Sequence, residues 1–66
     1  MEAAIGKAAG QIWDVLQAKG KASVAQLPKL VGEKDVVVYQ ALGWLAREGK
    51  ISYRTEGNRT IVELKG

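Results

Sequence analysis

Sixty-six residues suffice for one domain spanning 1–66, whose small core holds stability to roughly 3–5 kcal/mol. Hydrophobic residues make up 47% and charged residues 26%, which excludes a disordered chain. Ten basic residues against seven acidic ones give a net charge of +3. This excess is compatible with nucleic acid, but it is small and forms no basic tract.

Residues 3–19 read as a first helix, with Ile5, Ala8, Ala9, Ile12, Val15 and Leu16 on one stripe at helical spacing. Trp13 lies at the edge of that stripe and is expected to join the core. Gly6 and Gly10 each lower helicity by up to ~1 kcal/mol relative to alanine, so they suggest close approach by another backbone or simple tolerance. Gly20 supplies the stop.

Lys21-Ala22 is a short extended link. Ser23-Val24-Ala25-Gln26 has the spacing of a capping box, which starts a second helix at Val24 with Val24, Leu27, Leu30 and Val31 buried. Pro28 then falls inside that helix and forfeits the bond to the Val24 carbonyl. Gly32 ends it. After Gly32-Glu33-Lys34, Asp35 is the expected N-cap of a third helix, closed by Gly49. Two helices joined by a short glycine-containing turn are a helix-turn-helix pattern.

On the third helix Val38, Ala41, Leu42 and Leu45 share the core side, while Val36, Gln40, Gly43 and Arg47 point away. Val37 and Trp44 flank one boundary, and Tyr39 flanks the other. Lys50–Thr55 and Arg59–Leu64 alternate as strands around the turn Glu56-Gly57-Asn58. Their inward set is Ile51, Tyr53, Val62 and Leu64, with Ile61 toward solvent. The order of elements gives an α+β winged helix-turn-helix, three helices followed by a β-hairpin wing.

Catalysis is not expected. Histidine and cysteine are absent, removing the commonest bases, nucleophiles and metal ligands. The seven carboxylates form no convincing acid/base pair, and no phosphate loop appears. No cofactor or small-molecule substrate is implied. The lack of cysteine suits a reducing cytoplasm. No apolar run approaches the ~18 residues of a membrane span, and a signal-peptide plan is missing at the N-terminus.

The architecture points to double-stranded DNA, with the third helix in the major groove and the wing on the adjacent backbone. Candidate phosphate contacts are Lys34, Arg47, Lys50, Arg54 and Arg59, with Lys50 and the wing expected to supply most of the grip. Tyr39 offers a further contact, and Gln40 has the chemistry to pair with adenine. Against this, Arg54 and Arg59 suit edge protection, Asp35 repels phosphate, and the three valines at 36–38 offer no donors to base edges. Binding of this kind is weak and non-specific. The competing reading is a contact with a second copy or another protein through Val36, Val37, Tyr39, Gly43 and Trp44, since tryptophan and tyrosine anchor interfaces.

The string Gly43-Trp44-Leu45-Ala46-Arg47-Glu48-Gly49-Lys50-Ile51 resembles a small bacterial family of single-domain winged helix-turn-helix proteins without characterised function. The likeness extends to Ala9-Gly10-Gln11-Ile12-Trp13, Leu16 and Ser23-Val24-Ala25-Gln26-Leu27, nearly the full length. Pro28 departs from the pattern. The resemblance implies the three-helix and wing fold, and implies DNA or protein binding only by analogy.

Overall fold

The computed structural model describes residues 2–65. Its elements are α1 (Glu2–Lys19), β1 (Lys21–Ser23), a 3₁₀ turn (Val24–Gln26), α2 (Leu27–Val31), α3 (Asp35–Arg47), β2 (Ile51–Glu56) and β3 (Arg59–Leu64). Ala8, Ala9, Ile12 and Leu16 on the predicted stripe of α1 are buried, and Ile5 and Val15 are partly so. They meet Val38, Ala41, Leu42 and Leu45 of α3, Leu27 of α2, and Ala22, Ile51 and Val62 of the sheet.

The extended link after α1 is a true strand. β1 pairs antiparallel with β3, which also pairs with β2, giving a three-stranded sheet in the order β1-β3-β2. Ala22, Val62 and Tyr53 stand opposite one another on the core side, and Ser23, Ile61 and Arg54 on the other. The expected exposure of Ile61 is therefore corrected. It is buried between two ladder neighbours on a face that alternation alone assigns to solvent.

Three expectations at helix starts are also corrected. Ser23 keeps extended backbone, but its side chain makes no capping bond to the described residues, and Val24–Gln26 form a 3₁₀ turn instead of an α-helix. The Leu27 N–H donates to the Val24 carbonyl, and the α-helix begins at Leu27 with Pro28 in its first turn. Proline costs no helix bond there, because first-turn N–H groups have no partner in the helix. At α3 the cap position belongs to Lys34, and Asp35 is the first helical residue, where its charge still favours the positive end of the dipole.

The exit of α3 fixes where the wing starts. Gly49 adopts φ 71°; its N–H donates to the Ala46 carbonyl and the Lys50 N–H to the Leu45 carbonyl, each at 3.0 Å. This is a Schellman closure, which favours glycine because a Cβ is disfavoured at positive φ. At the wing tip Glu56 and Arg59 are paired, so the loop is the two residues Gly57-Asn58, shorter than the expected three. Gly57 has φ 62° while, among the described residues, no non-glycine has positive φ, matching the hairpin turn that needs glycine at its first central position.

Leu30 and Tyr53, expected in the core, are nearly half exposed, while Leu64 is partly buried. Leu30 falls in the last turn of the five-residue α2, and β2 is exposed from Tyr53 onward. Among the described residues, no helix is long and apolar enough to cross a membrane.

Candidate nucleic-acid interface

α3 lies against α1 through its buried side and turns the other side outward. Val36, Tyr39 and Trp44 there are 52%, 50% and 47% exposed, with Gln40, Gly43 and Arg47 also exposed. Val37 is corrected. At 7% exposure it belongs to the core, so it is unavailable to a partner. A single residue step, about 100° around the helix, separates it from Val36.

The basic candidates do not share one face. Lys50 holds its Nζ 5.8 Å from the centroid of the Trp13 ring, in an open cleft of about 290 Å³ between α1 and α3. Trp13 itself is only half-buried, short of the core position expected for it. Arg54 lies on the outer sheet face, its Nη2 2.8 Å from Glu56 and its Nη1 3.6 Å from Glu63. Those two carboxylates offset its charge. Lys34 is at the start of α3 and Arg47 in its last turn.

Arg59 is placed differently. With Asn58 and Thr60 it lines a cleft of about 320 Å³ whose other walls are Tyr39 of α3 and the segment Ser23–Gln26. The recognition-helix position and the wing tip thus border one hollow. Glu56 faces Arg59 in the ladder, yet its carboxylate is turned to Arg54 and to Lys21 at 3.6 Å. Among the described residues, no carboxylate comes within 4.0 Å of the Arg59 side chain.

On the other flank, Gln40 and Trp44 border a second cleft of about 400 Å³ with Ile5 and Gly6. This adjoins the Trp13 cleft through Gly6 and Trp44. Nothing among the described residues lies within 4 Å of a Cβ built at Gly6, Gly10 or Gly43. The glycines of α1 therefore admit no backbone within this chain, and they floor an open groove.

A basic cluster escaped the sequence reading. Lys19, Lys21 and Lys29 line a cleft of about 370 Å³ with Gln26. No tract announced them, because they come from α1, β1 and α2 in turn. Lys29 joins them from α2, which begins at Leu27.

The model of the winged helix-turn-helix domain DUF2582 matches residues 1–64. The chain belongs to this family. A Methanocaldococcus jannaschii protein, MJ1608, described as uncharacterised, is 36% identical over 92% of this chain and 90% of its own length. The solution structure of BT2368 from Bacteroides thetaiotaomicron superposes with a TM-score of 0.81 at 25% identity, covering 96% of this chain and 77% of that one. A Mycobacterium bovis fragment described as a possible transcriptional regulatory protein gives a TM-score of 0.70 at 26% identity, over 97% and 73% of the two chains. A HOP2 structure described in terms of DNA recognition and protein interaction domains gives 0.69 at 33% identity, over 88% and 98%. The family's three helices and small antiparallel sheet are those of this chain.

Proposed function

We propose that this chain is a DNA-binding winged-helix domain of regulatory type, taking residues 1–66 as one domain that works in the cytoplasm without catalysis or cofactor. The observation that carries the reading is the cleft shared by Tyr39 of α3 and Arg59 of the wing tip. It gives a phosphate-compatible cation and neutral donors beside the helix that would enter the groove. The descriptions of the Mycobacterium and HOP2 structures lend it support. Sequence readout is weak. Val36 offers no donor, Asp35 repels phosphate, and Gln40 borders the α1 groove, which leaves base contacts sparse. Titrating random-sequence duplex at low salt tests the proposal, because the electrostatic contribution is largest there. No binding under those conditions would end it.

A second reading, protein contact through the Trp44 side, rests on a different observation. Trp44 is about half exposed at the rim of a groove floored by Gly6 and Gly10. A large aromatic beside an unfilled hollow fits an interface anchor. Val36 and Gly43 are exposed beside it, while Tyr39 lines the wing-tip cleft instead. Sedimentation at high concentration tests the homodimer version, which a strictly monomeric profile would remove.

A further inference from the structure

We propose that the phosphodiester backbone of duplex DNA runs over the β1–α2 side of this domain, across two adjoining clefts, gripped by Lys19, Lys29 and Arg59. The proposal rests on the DNA-binding reading and assigns that grip to lysines the winged-helix pattern does not single out.

Three of the chain's ten basic residues, Lys19, Lys21 and Lys29, meet at one cleft, and among the described residues no carboxylate lines it. Among the described residues, Lys19 and Lys29 have no carboxylate within 4.0 Å. Lys21 is the weakest member, since it faces Glu63 in the ladder and lies 3.6 Å from Glu56. Both partners of that pair are about half exposed, so water and salt screen it, and it is readily exchanged for a phosphate. Gln26 lines this cleft and also the one holding Tyr39 and Arg59. The two hollows therefore share Gln26 as a wall, and the proposed backbone crosses over it.

The chemistry selects the ligand. Ammonium groups at one end and a guanidinium at the other suit an extended polyanion, not a single ion. Between them Gln26, Tyr39 and the wing-tip residues supply neutral donors, the mixture that phosphate oxygens receive in protein–DNA contacts. An acidic peptide shares the charge, but it has no reason to lie beside α3, the helix that a winged-helix domain turns to the DNA groove. Lys50 and Arg54 contribute little to this track, because one sits over Trp13 and the other between Glu56 and Glu63.

The test follows the anisotropy of a labelled random-sequence duplex through a low-salt series. It compares the unaltered chain, Lys19→Gln/Lys29→Gln, Arg59→Gln, and Lys7→Gln/Lys65→Gln as a charge-matched control. All of these side chains are exposed, and circular dichroism verifies that each variant folds. Each contact removed should weaken low-salt binding roughly tenfold and flatten the plot of log affinity against log salt by about 0.9. The first variant thus loses about two contacts and the second about one, while the control keeps its slope. Duplex binding that is equally strong and equally salt-dependent in the Lys19/Lys29 variant overturns the proposal and leaves the DNA-binding reading standing. No duplex binding by the unaltered chain overturns both. Binding of poly-glutamate in preference to duplex assigns the clefts to an acidic protein and overturns the proposal.

Discussion

Lys50 stands over the ring of Trp13, its Nζ 5.8 Å from the centroid, and so clasps the exit of α3 to α1. The backbone prepares this contact, since the Lys50 N–H is held by the Leu45 carbonyl at 3.0 Å. A cation at that distance from an exposed aromatic face contributes about 0.5–1 kcal/mol. Lys50→Ala should lower stability by that amount in urea titration. Trp13→Leu should make the Lys50 substitution nearly neutral, since the partner is already gone.

The glycines of α1 separate stability from association. An added methyl at Gly6 or Gly10 meets nothing among the described residues, and alanine is the better helix former by up to ~1 kcal/mol. Gly6→Ala and Gly10→Ala should each raise the melting temperature. The same methyl groups fill the floor of the groove beside Trp44. If a second copy docks there, the stabilised variants will show weaker self-association by sedimentation. Trp44→Gln should do likewise with little change in stability, since the side chain is about half exposed.

Periodicity revealed most of this fold because most of the core is one-sided. Ile12, Leu16, Val38, Leu42 and Leu45 lie where a 3.6-residue repeat puts them. It failed where burial depends on a neighbour distant in sequence. Val37 sits one position off the core stripe and is covered all the same, and Ile61 is buried on the outer sheet face only because β1 pairs beside it. The candidate site was less legible still. Arg54 looks free in the sequence until Glu63 is placed across the ladder, and the lysines at 19, 21 and 29 are a cluster only in space.

Burial pushes the Tyr53 phenol above its ordinary value, with a clear sign for stability. The folded state prefers the neutral phenol, so this contribution is intact below the unfolded value of 10.0 and is lost as pH rises through the higher folded one. Thermal melts through an alkaline series should show this decline. Tyr53→Phe should make it shallower, leaving the profile near neutral pH unchanged in shape.

Ile12 of α1 is fully buried in the core that α1 shares with α3. Ile12→Ala should cost about 2–5 kcal/mol, since the cavity adds to the lost transfer energy. A domain of this size has only roughly 3–5 kcal/mol in hand, so the variant should be largely unfolded by circular dichroism. Ile12→Val, at about 0.5–1.5 kcal/mol, should fold and melt earlier.

Pro28 distinguishes the observed start of α2 from the one its capping box suggests. Were Pro28 inside a helix beginning at Val24, its replacement by alanine would restore a bond and relieve a clash, stabilising the domain by up to ~3 kcal/mol. In the structure Leu27 ends the 3₁₀ turn by donating to Val24, and Pro28 occupies the first turn of α2, where no bond is missing. There proline's fixed φ lowers the entropy of the unfolded chain without strain in the folded one. Pro28→Ala should therefore destabilise by about 0.4–1 kcal/mol. The sign of the shift in urea midpoint decides between the two placements. It also bears on the lysine cleft, because α2 as it starts in the structure carries Lys29 beside Lys19 and Lys21.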